Sequence, residues 1–160
     1  MSPYQKNQYQ AYSSAIRTVA KTRQVVMLYD TAIKFLKQTG IAISEQLIED
    51  RFNLSKKASE IMIGLQSSID FDNGGEIANI LHDFYTNITR RIIALNYNKD
   101  KSESERECND LIEELKQMRE VWENIDSNYG SAVKNDIAPS NDSLDISASE
   151  NISVGIALSV

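Results

Sequence analysis

The stretch that decides the fold is TRQVVMLYDTAIKFLKQTGIAI, residues 22–43. On a helix turning about 100° per residue, Val25, Val26, Leu28, Tyr29, Ala32, Ile33, Phe35 and Leu36 fill one half of the surface. Asp30, Thr31, Lys34, Lys37 and Gln38 fill the other half. An apolar arc roughly 180° wide exceeds what a coiled-coil seam uses. Such a helix packs on more than one neighbour or keeps apolar surface for a partner. Thr22 reads as its N-cap.

Outward from this helix the same period recurs. A second segment, from about Ser44 to Ile69, carries Leu54, Ala58, Ile61, Leu65 and Ile69 at steps of three and four. Asp70-Phe71-Asp72-Asn73-Gly74-Gly75 is the strongest turn signal in the chain. A third segment, Gly75 to Asn96, aligns Ile77, Ile80, Leu81, Phe84, Tyr85, Ile88, Ile92 and Leu95. Asn98 to Lys101 interrupt the pattern, and Ser102 is the candidate cap of a fourth segment ending at Asp126. Its apolar positions are Cys108, Leu111, Leu115, Met118, Trp122 and Ile125, with Glu103, Glu105 and Glu107 near its positive end. The spacing predicts an all-α fold: an antiparallel four-helix bundle with a short extra N-terminal helix and a disordered C-terminal tail.

That reading divides the chain into an N-terminal segment (1–21), a bundle (22–126) and a polar tail (127–160). In the first, Tyr9, Tyr12, Ile16 and Val19 form a stripe too short to hold a helix alone. It is either a fifth core helix or a lid over a groove that a partner peptide also fills. The tail is rich in Ser, Asn and Asp and has one lysine, Lys134, against Asp136, Asp142, Asp145 and Glu150. At its end Ile152, Val154, Ile156, Leu158 and Val160 alternate with small residues, a strand period in a helical chain.

Composition narrows the function. The 160 residues amount to one domain, and two prolines with six glycines leave room for long helices. A net charge of −6 offers no footprint for nucleic acid or anionic lipid. No run of 18 apolar residues is present, so membrane insertion is not expected. The polar start, Met1-Ser2-Pro3-Tyr4-Gln5, lacks the core of a signal peptide, and the cytoplasm is the expected address.

Catalytic constellations are missing from the sequence. A di-metal bundle site uses Glu-x-x-His pairs facing inward, but the one histidine, His82, follows Asn79 and falls on the polar edge of its helix. Cys108, the one cysteine, lies on an apolar stripe and reads as a small buried hydrophobe. Gly74-Gly75 matches neither phosphate-loop nor dinucleotide spacing and reads as a helix-joining turn. Arg91 falls near the apolar arc and is expected to snorkel or to pair with a carboxylate of a neighbouring helix. No cofactor, metal or enzymatic activity is expected. What remains is apolar helical surface, the material of helix-in-groove recognition.

The stretch Val25-Val26-Met27-Leu28-Tyr29-Asp30-Thr31-Ala32-Ile33-Lys34-Phe35-Leu36-Lys37-Gln38 closely resembles the signature of the flagellar secretion chaperone FliS family. Further stretches fit in order: Leu54 to Ala58 with Glu60-Ile61, Asn73 to Ala78, and Tyr85 through Arg90-Arg91 to Ala94-Leu95-Asn96. Arg119-Glu120-Val121-Trp122 resembles the closing segment, and Tyr9-Gln10 the tyrosine-bearing start. The resemblance covers roughly residues 4–126. Thr22-Arg23 replaces the family's Ser/Thr-Pro helix start, Thr31 replaces a common glycine, and the tail is an addition.

The resemblance implies a bundle that binds the C-terminal helical segment of flagellin, keeps it from polymerising and hands it to the flagellar type III export gate. It also implies an N-terminal segment able to sit on the flagellin site, which matches the lid reading of Tyr9, Tyr12 and Ile16. The expected groove uses Leu28, Tyr29, Ile33 and Leu36, with Ile77, Ile80, Leu81 and Phe84 as packing or groove partners. The alternative is a homo-oligomeric adaptor, a homodimer for instance, that binds another amphipathic helix.

Overall fold

The computed structural model describes residues 3–135, and side chains between residues 10 and 131 apart from Tyr12. Four helices follow one another: α1 (Pro3–Ser44), α2 (Ile48–Ser67), α3 (Phe71–Ala94) and α4 (Lys101–Asn135). Bonds between neighbours fix the antiparallel order. Thr22 meets Asp126, Asp30 meets Arg119 and Leu36 meets Cys108, so α1 and α4 run in opposite directions. Asn96 with Ser55 and Gln66 with Thr86 do the same for α3 and α2. The wide arc of α1 has a direct cause: α1 packs against both α4 and α2, and Val25, Val26, Tyr29, Ala32, Ile33 and Leu36 are all buried.

Three boundaries differ from the sequence reading. The N-terminal piece is not a separate helix, because α1 runs unbroken from Pro3 through Thr22. No proline or glycine lies between Tyr4 and Thr39, and nothing forces a break. Thr22 does not cap; its hydroxyl donates to Asp126 Oδ1 at 2.7 Å, with the carbonyls of Thr18 and Val19 as alternative acceptors within reach. At the other end α4 continues to Asn135, beyond the expected limit at Asp126. The bond from Thr22 to Asp126 brings the two extensions to the same end of the bundle, with Ala15, Thr18 and Val19 half-buried on one and Tyr129 half-buried on the other. Residues 136–160 lie outside the described part.

The helix caps follow side-chain chemistry. Asp100, not Ser102, caps α4: its Oδ1 accepts from the Glu103 N–H at 2.9 Å, as a carboxylate at the positive helix end should. Asp70 caps α3 by accepting from the N–H groups of Asp72 and Asn73 and from the Asn73 side chain, which holds its pKa below the ordinary carboxylate value. The turn read at Gly74-Gly75 contains one helical turn and then a kink. Gly75 adopts φ 52° and ψ −135°, and a Cβ on Gly74 would lie 2.7 Å from that of Ala78. α1 ends with Gln46 at φ 58°, where the Leu47 N–H reaches the Ala42 carbonyl and the Gln46 N–H that of Ile43.

Candidate functional site

The seam between α3 and α4 is where these helices come least close of the four neighbouring pairs. Arg91 bridges it. Its Nε donates to Glu107 Oε1 at 2.5 Å and its Nη1 to Glu114 Oε1 at 2.6 Å, so one α3 cation holds two turns of α4. The bond to Glu107 raises the guanidinium's pKa, opposed by partial burial and assisted by Glu114. The sequence reading of Arg91 as a partner for a neighbouring helix is therefore what the structure shows.

Moving from Arg91 toward the start of α3, helical spacing places Ile88, Phe84, Leu81, Ile80 and Ile77 on the same flank. From Glu114 toward the end of α4 it places Met118, Val121 and Ile125. Ile77, Ile80 and Val121 are more than half exposed. Leu81, Phe84, Met118 and Ile125 are half-buried and rest on the core. The seam is thus ionic and closed at Arg91, apolar and open beyond it.

Its floor is aromatic. Tyr29 of α1 and Tyr85 of α3 join oxygens at 3.0 Å across the bundle, with Trp122 of α4 beside them. Burial pushes the Tyr85 phenol up to about 12 and that of Tyr29 higher still. The Trp122 indole N–H has no hydrogen bond of good geometry, but its positive end works against that rise.

The eight expected groove residues do not form one surface. Tyr29, Ile33 and Leu36 are core residues with nothing to offer a partner in this arrangement. Leu28 is partly exposed, but α1 and α3 stand at opposite corners of the bundle. Ile77, Ile80, Leu81 and Phe84 share the seam. Val121 was missed because it lies beside Trp122, outside the apolar stripe of its own helix. Among the lid positions, Ile16 is exposed, and the side chains of Tyr9 and Tyr12 lie outside the described part. An unbroken α1 does not fold back over the bundle.

A second apolar surface follows the α2–α3 edge near the α1–α2 turn. Leu47, Ile48, Phe52, Ile93 and Tyr97 are exposed there. Two clefts of about 620 and 250 Å3 meet at Asn96 and Tyr97. The sequence reading assigned this face nothing.

Two other expectations concern single residues. Cys108 is buried, its thiol donates to the Leu36 carbonyl at 3.2 Å, and burial raises its pKa to about 11. His82 is exposed, stacks edge-on against Phe71 and meets the Gln66 side chain at 3.1 Å. Among the described residues no group of three or more His, Cys, Asp or Glu could hold a metal ion, and no helix is long and apolar enough to cross a membrane.

The fold and its surfaces define a class: an all-α bundle whose exposed assets are apolar helix faces. The chain matches the family described as flagellar protein FliS over residues 5–129, and it belongs to that family of flagellar secretion chaperones. It is 29% identical to the flagellar secretion chaperone FliS of Campylobacter jejuni over 75% of this chain and 91% of that one. It is 27% identical to that of Vibrio cholerae over 72% and 82%, and 28% identical to that of Salmonella typhimurium over 70% and 81%.

Proposed function

We propose that this chain binds the C-terminal helical segment of flagellin in the cytoplasm, keeps it from polymerising and delivers it to the flagellar export gate. Family membership supports the flagellar assignment. The observation that carries the binding mode is the apolar half of the α3–α4 seam, where exposed Ile77, Ile80 and Val121 stand over half-buried Leu81, Phe84, Met118 and Ile125. An amphipathic helix laid there buries its own apolar face and covers theirs. Leu28 contributes from a separate flank if the flagellin segment wraps further. Tyr29, Ile33 and Leu36 act beneath the surface, as the packing that holds the seam in shape.

Calorimetric titration with the C-terminal segment of flagellin tests this. Ile80→Asp together with Val121→Asp should weaken binding about 100-fold, since each exposed aliphatic gives roughly 1.5–3 kcal/mol when fully buried. Unchanged affinity in the folded variant excludes the seam, and no binding by the unmodified chain excludes flagellin. The lid reading has its own arm. Tyr9→Ser, Tyr12→Ser and Ile16→Ser together should tighten binding if the N-terminal segment competes for the site. Equal affinity discards the lid and keeps the chaperone.

A further inference from the structure

The cleft at the α1–α2 turn has properties that the seam lacks. Its walls combine Leu47, Ile48 and Tyr97 with Arg51, Lys99 and Lys101, and its described lining includes no carboxylate. Arg51 is held by one bond from Nη2 to the Asn96 carbonyl, while its Nε and the Asn96 Oδ1 are buried without partners. Lys101 shares its charge with Glu105 at 3.9 Å, a separation worth little in water. The lining itself combines apolar and cationic side chains, with Glu49, Asp50 and Asp100 beside it in sequence and a chain net charge of −6. The chemistry it fits is an acidic segment with aliphatic side chains.

Residues 136–160 have that chemistry. They hold Asp136, Asp142, Asp145 and Glu150, no lysine or arginine, and the alternating Ile152, Val154, Ile156, Leu158 and Val160. Extended, the alternation puts these five side chains on one side. We infer that the cleft receives this segment from a second copy of the chain.

Reach decides between the chain's own tail and a neighbour's. Lys101 at the cleft and Asn135 at the tail's root are the two ends of α4, about 50 Å apart at 1.5 Å per residue. A stretch the length of residues 136–151, 16 residues, spans about 53 Å only when pulled straight, whereas an unstructured chain of that length averages roughly 22 Å end to end. Docking residues 152–160 on their own cleft therefore stretches the linker to its limit, and the effective concentration falls close to zero. Two copies with antiparallel α4 helices place each root beside the other's cleft, a reciprocal two-fold arrangement. This inference does not rest on flagellin binding.

The test mixes two full-length variants, Tyr97→Cys and Leu158→Cys, with copper phenanthroline as mild oxidant. The expected product is a disulfide between chains at positions 97 and 158. Its yield should fall about tenfold in 0.5 M salt, and equally when Lys99→Glu and Lys101→Glu are added, as for a few exposed charge pairs. Sedimentation of the unmodified chain should show a concentration-dependent dimer that Ile156→Asp with Leu158→Asp removes. A chain that stays monomeric, a disulfide yield indifferent to charge reversal, or linkage only within a doubly substituted chain overturns the inference.

Discussion

On the side of α4 that faces α1, Cys108 reaches the Leu36 carbonyl and lies 3.6 Å from where a Cβ on Gly40 would stand. On the side that faces α3, Val121 is half exposed and a single arginine spans the gap. One helix thus makes a core contact and a surface cleft from neighbouring flanks. On the first side the small residues Gly40 and Cys108 stand against each other, and both Cys108 and Leu36 are fully buried. On the second side Arg91 ties α3 to α4 at one end, while beyond it Ile77, Ile80 and Val121 leave apolar atoms facing water. The first interface is buried, and the second leaves these three residues exposed.

The largest contrast should come from truncating one residue on each side. Leu36→Ala removes a fully buried side chain and should lower stability by about 2–5 kcal/mol in urea unfolding. Ile80→Ala should stay within about 0.5 kcal/mol, because more than half of its side chain is already in water. Equal losses would mean that the seam is as tightly packed as the core.

Gly75→Ala comes next. At φ 52° and ψ −135° a Cβ is strained although space around it is open, and the variant should lose about 1–3 kcal/mol. Because Gly75 sets the direction in which α3 leaves its first turn, segment binding at Ile77 and Ile80 should weaken with it. A variant as stable as the original would show that α3 re-forms straight through the kink.

Asp126→Ala removes the acceptor of the Thr22 hydroxyl and the partner of Arg23 at 3.2 Å. The Thr22 hydroxyl retains its two backbone carbonyls, so the loss should be only about 1 kcal/mol. Hydrogen exchange should locate the effect in the paired ends of α1 and α4. Faster exchange around Arg91 instead would couple the tight interface to the seam.

The last effect is a pH dependence, slight near pH 9 and growing above it. Cys108 rises from 9.0 to about 11 and Tyr85 from 10.0 to about 12 on folding, with Tyr29 raised further, all chiefly through burial. Raised folded values mean that the unfolded chain ionises first. This contribution is intact below about pH 9 and is lost as pH rises through the folded values. Urea midpoints should fall above pH 9, and Cys108→Ser should remove the earliest part of the fall. A thiol reagent should meet Cys108 only on unfolding.

Sequence periodicity alone determined the four helices, the break in regular helix at Gly74-Gly75 and the buried place of Cys108, and it narrowed Arg91 to snorkelling or pairing. These depend on local spacing and on residue chemistry, which survive without knowledge of neighbours. The motifs from Val25 to Trp122 carried the family as well. Only the tertiary structure decided which apolar residues are covered. Tyr29 and Ile80 both lie on wide apolar arcs, yet α1 has two close neighbours and the seam flank of α3 has one distant one. Periodicity measures how wide an arc is and contains no term for how near the next helix comes. The ends of α1 and α4 were decided in the same way: the segments around Val19 and Tyr129 are weak alone, and each is helical beside the other.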